Sequence, residues 1–496
     1  MAFINGIDRN QKIMLPEYIE DYIKEDNPVI LIDEYVESID FKKLNFTKSN
    51  DKGPGAPAYH PKTLMKLYLY GYLNGIRTSR KLENEANRNL EVIWLLRKLT
   101  PDFKTIADFR KENKDNLVKI FKDFSHLCKE LGLYGKELIA VDGTKIKANN
   151  SKRNNYNQRK IDRQVKYIEE KTKEYIKALE ENDSNEEEGI KLSRVEIKEK
   201  LEYLNKRKEA YEEINQQLKE SGEKEISTVD PDSRLMENKK NGLEMGYNLQ
   251  IAVDAKHKLV VEFDVTKNAS DQGNLNSMSL KSKEALGMDP KDEIELLADK
   301  GFYQAEDLMK CEENNTTTYV SKQTYANSTN DRDFYSDKFK YDKDKDVYIC
   351  PGGYELEKIK QRKKDVQSSK YRNYEACKKC EFKARCTKAE KGRIVTRSKD
   401  QDFLDKVDSR TQENMDKYLQ RQMIVEHPYG TIKRTMNAGY YLCRGMGSVV
   451  GETSLILLAY NFKRVINIIG IENLRRKIAE LRPTFSNIFT KKLRIV

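Results

Sequence analysis

One stretch constrains this chain more than any other: Glu137-Leu-Ile-Ala-Val-Asp142-Gly143-Thr144. Four apolar residues run straight into a carboxylate and a glycine, which reads as a fully buried strand ending in a charged tip. The same design returns in Ile294-Glu-Leu-Leu-Ala-Asp299-Lys-Gly301-Phe-Tyr303. A third acid, Glu426, lies in Arg421-Gln-Met-Ile-Val-Glu426-His-Pro-Tyr-Gly-Thr-Ile-Lys433-Arg434. An acid at the end of a core strand is costly unless something charged meets it. Two such strands lying side by side would bring two carboxylates together. They would repel each other unless a cation sat between them, and Mg²⁺ prefers that oxygen-rich setting.

Taken in order, the strand-Asp-Gly-Thr, strand-Asp-Lys-Gly and Glu-His-Pro-Tyr-Gly-Thr-Ile-Lys elements resemble the DDE transposases of bacterial insertion sequences. The resemblance runs from about residue 59 to residue 467. It implies an α/β, ribonuclease H-like catalytic domain: a mixed sheet flanked by helices, with its first strand beside its fourth. Asp142 and Asp299 would then be neighbours across parallel strands. The family's chemistry implies two Mg²⁺ (or Mn²⁺) ions ~3.5–4 Å apart, which supply the nucleophile and stabilise the leaving oxygen. Asp142 would bridge both ions, with Asp299 and Glu426 holding one each. The freed 3′-hydroxyl would then attack target DNA at the same site.

Around Glu426 the family often shows a Tyr, an Arg and a Lys, matched here by Tyr418, Arg421 and Lys433. Lys433 lies two helical turns past Glu426 and is counted with the catalytic set. Arg421, Lys433 and Arg434 are expected against DNA phosphates. Arg421 stands one residue further from Glu426 than is common, and Pro428 predicts a kinked helix or a helix start. His427 is read as unneeded for base chemistry.

The function implied is a transposase that binds the terminal inverted repeats of its own element, cleaves there and joins the 3′ ends to target DNA. Its partner would be double-stranded DNA, with two copies of the chain assembled on it. Two other classes stay open: a catalytically silent DNA-binding protein or repressor, and a nuclease that cuts without joining.

At 496 residues the chain exceeds one ordinary core, and two to four domains are expected. The net charge of +11 is concentrated: residues 355–400 hold 16 Lys/Arg against 7 Asp/Glu. That stretch, with Arg362, Lys363 and Lys364 at its densest point, is a candidate nucleic-acid surface; a solvated basic loop is the alternative. No apolar run approaches the ~20 residues of a membrane span, and no signal peptide is evident. A cytoplasmic, nucleoid-associated location is therefore expected.

Residues 1–130 read as an N-terminal helical domain. The 29–36 run fits strand or helix. Pro61 and Gly75 bracket one helix, Ser79 is a candidate N-cap for the next, and Thr105 with Asp108 has capping-box spacing for a third. The resemblance gives this region a DNA-binding role; a plain helical bundle packed on the core is the alternative. Residues 131–150 open the catalytic domain. Residues 151–225 interrupt it with two heptad runs, Ile161 to Leu179 and Ile197 to Leu218, expected to form a helical hairpin with a narrow apolar seam. Residues 226–320 resume the catalytic domain.

Residues 321–400 form a Cys-rich basic insertion, and 401–496 carry the Glu426 helix and the C-terminal helices. The insertion holds Cys350, Cys377, Cys380 and Cys386 in a C-x26-C-x2-C-x5-C spacing. So few cysteines in a long chain are no disulfide framework. Cys-x2-Cys beside Pro351-Gly-Gly suits a closed structural Zn²⁺ site; free thiols are the alternative.

Overall fold

The computed structural model describes residues 18–49, 58–184, 194–238, 242–359 and 368–481. The chain opens with helices α1 (Pro28–Glu37), α2 (Pro61–Leu73), α3 (Ser79–Arg88), α4 (Leu90–Leu95), α5 (Phe103–Glu112) and α6 (Lys114–Glu130). The ambiguous 29–36 run is helical because Val29, Leu31, Ile32, Tyr35 and Val36 bury one face at a helical period, and the Asn27 side chain caps Val29 N–H.

Two expected caps shift toward the N-terminus, by one and by three residues. Thr78, not Ser79, caps α3: its extended backbone lets the hydroxyl accept from Lys81 N–H, and Ser79 already lies inside the helix. Asp102 caps α5 by accepting from Lys104 and Thr105, so Thr105 belongs to the first turn.

The main sheet begins with β1 (Leu138–Lys147). An arm of two long helices, α7 (Gln158–Ser184) and α8 (Arg194–Ser221), follows it. Ile161, Ile168, Ile197, Leu204 and Leu218 are buried along the seam, as the heptads predict. A two-stranded ribbon, Asn155–Tyr156 against Ile226–Ser227, ties the base of the arm. The residues joining the two helices lie outside the described set.

The sheet continues with β2 (Arg234–Asn238), β3 (Gly242–Asp254), β4 (Val260–Thr266), helix α9 (Leu275–Leu286), β5 (Ile294–Ala298), helix α10 (Ala305–Glu313) and β6 (Thr316–Val320). Across the sheet the order is β4-β3-β1-β5-β6, with β2 sharing the β4 edge of β3. β3 is antiparallel to β1, while β5 and β6 run parallel. This is the ribonuclease H-like order, and it places β1 beside β5, the fourth strand once the short β2 is set aside. Ile139, Ala140, Val141, Leu296, Leu297 and Ala298 are all buried, as central strands covered on both faces require.

β1 does not end at Asp142. It runs on to Lys147 because β3 is 13 residues long and pairs with it from Ile139 to Lys147. It is β5 that stops, at Ala298, leaving a notch beside Asp142.

The insertion folds as a separate antiparallel sheet of consecutive strands β7 (Lys340–Asp342), β8 (Val347–Ile349), β9 (Glu355–Lys358), β10 (Ser368–Arg372) and β11 (Val395–Ser398). Its own small core is Phe339, Tyr348, Leu356, Tyr371 and Val395. Arg362, Lys363 and Lys364 lie outside the described residues.

Then come α11 (Gln401–Glu413), α12 (Met415–Gly430), a π-helical turn at Thr431–Thr435, α13 (Met446–Ile469) and α14 (Ile471–Leu481). Pro428 neither starts nor breaks α12. It is buried inside the helix, and a π-helical turn follows at Thr431–Thr435.

The N-terminal helices share one continuous core with the sheet and α13. Arg77, between α2 and α3, donates to the Asn437 and Tyr440 carbonyls and to the buried Glu452 carboxylate of α13. Among the described residues no single helix is long and apolar enough to cross a membrane. α13 and α14 would pass that test only as a pair, and they are bent by 108°.

Candidate active site

The parallel register pairs Val141 with Ala298, so the next residues, Asp142 and Asp299, stand side by side at the notch. Each carboxylate is oriented by a backbone amide. Asp142 Oδ1 accepts from Gly143 N–H at 2.9 Å, and Asp299 Oδ1 accepts from Lys300 N–H at 2.7 Å, capping the short turn Lys300–Phe302.

One cation meets both acids. Arg421 Nη1 lies 3.8 Å from Asp142 Oδ2, and its Nη2 lies 3.9 Å from Asp299 Oδ1. The guanidinium also sits 5.9 Å from the Tyr418 ring centroid. Two further residues join α12 and the turn after it to β1. The Tyr429 hydroxyl donates to the Asp142 carbonyl at 2.7 Å, and Lys433 Nζ donates to Thr144 Oγ1. Burial pushes the Asp142 carboxyl up to about 6; Arg421 and the Gly143 amide oppose that, while Asp299 and Asp271 push the same way.

The third acid stands apart from this pair. Glu426 is exposed on α12, and its Oε1 accepts from Gln422 Nε2 at 2.8 Å, one turn back. Among the described residues no group of three or more His, Cys, Asp or Glu side chains is arranged to hold a metal ion as it lies. Arg421 was expected against DNA phosphate. Its guanidinium instead faces the two aspartates, whose close approach at the strand ends calls for a positive charge. Arg434 is exposed in the π turn. His427 points away from the acids, its Nδ1 2.8 Å from the Tyr460 hydroxyl of α13.

Sequence reasoning passed over Asp271, in the loop between β4 and α9. Its Oδ1 accepts from Asn248 Nδ2 at 2.6 Å, Lys145 Nζ at 3.1 Å and Gln250 Nε2 at 3.3 Å. A Cβ at position 143 would lie 2.4 Å from this oxygen, so only glycine there lets the loop come so close. A signal was present: Asn248 and Gln250 are two polar residues on one face of a strand that is otherwise apolar.

In the insertion, Cys350, Cys377, Cys380 and Cys386 line one cavity of about 30 Å³. All four are free thiols. Burial pushes Cys386 up to about 11, and the other three cysteines add to the shift against the opposing charge of Arg393. Gly392, at φ +83°, passes so close to Cys377 that a Cβ would lie 2.8 Å from its sulfur. Cys128 and Cys311 are isolated and buried in the main core.

Known proteins bear on these arrangements. A family model described as "Transposase domain (DUF772)" matches residues 17–112, which span α1 to α5. A second, described as "Transposase DDE domain", matches residues 349–466, from the cysteine cavity through α12 and its Glu426 into α13. No curated protein matches the chain. Among solved structures, the chain is similar to the cryo-EM structure of a piggyBac transposase synaptic complex with hairpin DNA, at 9% identity and a TM-score of 0.32, over 95% of this chain and 82% of that one. Two transposase family models match in this order, on either side of a ribonuclease H-like sheet that sets Asp142 and Asp299 side by side, and together they support a DDE transposase.

Proposed function

We propose that the chain is the transposase of a bacterial insertion sequence, binding the terminal inverted repeats of its element, cutting the DNA there and joining the 3′ ends to target DNA. The observation that carries this reading is the pairing of Asp142 with Asp299 around a single positive charge. A guanidinium within 4 Å of both acids marks a place where cationic charge is already favoured. Hard carboxylate oxygens of this kind suit Mg²⁺ or Mn²⁺. Asp142, Asp299 and Glu426 would hold the metal, which when bound activates water and stabilises the leaving oxygen of the phosphodiester.

The chain's own residues do the rest. The Gly143 and Lys300 amides fix the direction of the two aspartates. Arg421 and Lys433 bring positive charge from α12 and its following turn to the strand on which Asp142 lies, where the scissile phosphate would approach. Arg434 extends that charge outward, and the basic stretch at 355–400, with Arg362, Lys363 and Lys364, would track the DNA backbone. Joining two element ends calls for at least two copies of the chain on the DNA, in the bacterial cytoplasm.

The cysteine cavity we read as a structural Zn²⁺ site. Four thiols around one small space are the soft tetrahedral set that zinc takes, and bound zinc would relieve their mutual repulsion as thiolates. The test of the main reading is a gel assay on labelled terminal DNA with a plasmid target and Mg²⁺. Cutting together with strand-transfer products supports it. Binding alone would make the chain a silent DNA-binding protein, and cutting alone a nuclease.

A further inference from the structure

Asp271 belongs to no element of the proposed reaction, yet much of the notch is shaped around it. The loop carrying it is brought against β1 where Gly143 leaves room, and Gly301, two residues past Asp299, lies on its other side. Its two oxygens are in different situations. Oδ1 takes all three side-chain donors, from Lys145, Asn248 and Gln250. Oδ2 faces the Asp299 loop, 3.4 Å from where a Cβ of residue 301 would stand.

A second observation is independent of the acids. Asn248 and Gln250 are fully buried, and each leaves its side-chain carbonyl oxygen without a hydrogen-bond partner. The Asn248 oxygen points at the same gap, 3.2 Å from where a Cβ of residue 143 would stand. Buried acceptors without donors cost free energy unless something positive or donating fills the space before them.

Resting on the reading of Asp142, Asp299 and Glu426 as metal-holding acids, we propose that Asp271 is a fourth carboxylate of that site: anchored through Oδ1, it presents Oδ2 to a divalent cation or to that cation's bound water. Asn248 and Gln250 are positioning residues, and their free oxygens take hydrogen bonds from the same hydration shell. Side chains alternate along β1, so Asp142 faces Arg421 of α12 while Asp271 approaches the notch from the opposite face, at Gly143.

The experiment measures Mn²⁺ binding to the full chain without DNA, by calorimetry and by electron paramagnetic resonance. Asp271→Asn retains an oxygen for the three donors and removes the charge from the second position. It should weaken Mn²⁺ binding by roughly 10–100-fold, as the loss of a group supporting a metal site does. Lys145→Gln should do the opposite and tighten binding, because it removes the positive charge beside Asp271. Unchanged binding by a folded Asp271→Asn protein, with Asp142→Asn weakened, would overturn the fourth carboxylate and leave the three-acid site standing. Should Asp142→Asn also bind normally, the reading of the site itself fails and the proposal with it. If Asp271→Asn does not fold, Lys145→Gln decides: tighter binding supports the proposal, and unchanged binding overturns it.

Discussion

The two sheets of this protein each crowd ionisable side chains together, and they do so on very different foundations. The main sheet sets Asp142 and Asp299 at the edge of a core that also takes in the N-terminal helices and α13. The insertion sets four thiols around a cavity beside a core of five residues. A large core can carry charge repulsion because its folding free energy comes from elsewhere. A small one has little to spare and needs a staple. The acids should therefore be needed for activity and not for folding, and the thiols for folding and only indirectly for activity.

The hardest test of that contrast is the acids. Asp142→Asn, Asp299→Asn and Glu426→Gln keep shape and remove one charge each. Cutting and joining of labelled terminal DNA should fall by ~10³-fold or more, since the metal's charge stabilisation amounts to several kcal/mol. DNA binding should hold, and the melting temperature should not fall. Normal cutting by the Asp142 or Asp299 variant would remove the active site from the notch. Normal cutting by the Glu426 variant alone would move only the third ligand.

The thiols should behave the other way. Cys380→Ser, or chelation, should lower zinc content from about one per chain and raise amide hydrogen exchange across residues 340–398. The main-sheet strands should stay protected, because bound metal contributes folding energy locally. Metal analysis of the pure protein that finds no zinc would end this side of the comparison, as would exchange rising equally in both sheets.

The sequence announced what depends on period and on apolar runs. The two apolar strands leading to Asp142 and Asp299, the arm's seam at Ile161, Ile168, Ile197, Leu204 and Leu218, and the separate cysteine insertion follow from such patterns, while the pairing of the two strands followed only from the family resemblance. It was silent where tertiary approach decides. The length of β1 is set by β3, the direction of Arg421 by two acids more than 100 residues away, and the place of Asp271 by room at Gly143. Pro428 is not a helix start, because α12 runs through it from Met415 to Gly430. Thr78 and Asp102 lay one to three residues ahead of the caps read from text, since capping depends on which residue keeps an extended backbone.

A smaller effect sharpens the same contrast through pH. The Asp142 carboxyl titrates at about 6 in the folded chain, above its ordinary 3.8. The folded state therefore holds this proton more tightly than the unfolded state. Its contribution to stability is full below about pH 4 and is lost as pH rises through 6. At pH 8 without metal the ionised acid is a burden, and Asp142→Asn should relieve it. A gap of about two units corresponds to roughly 3 kcal/mol at most, and the side chain's 24% exposure cuts that to about 1 kcal/mol. The variant should thus unfold at slightly higher denaturant than the parent at pH 8 and show no advantage at pH 4. Mg²⁺ should erase the difference by favouring the charged parent. A variant less stable than the parent at pH 8 would mean that the Arg421 bridge outweighs the burial of the acid.

The smallest effect is expected from the arm, which has neither a large core nor a crowded ionisable cluster. Its buried residues face one another across α7 and α8, while Tyr167 and Tyr203 stand 47% and 61% exposed on its flanks. Its base is tied by the ribbon of Asn155–Tyr156 and Ile226–Ser227, and a shortened arm would keep that tie. Replacing residues 169–213 with a short Gly/Ser linker removes most of both helices together, so no half of the seam is left bare over that length. The main sheet should then melt within about 2 °C of the parent, because the apolar area lost was buried only within the arm. Cutting of terminal DNA should persist if the arm merely spaces the strands, and fall if it holds DNA or a second copy of the chain. Insoluble protein would show that the arm supports the main core after all, and that the contrast between a self-sufficient sheet and its dependent insertions is drawn in the wrong place.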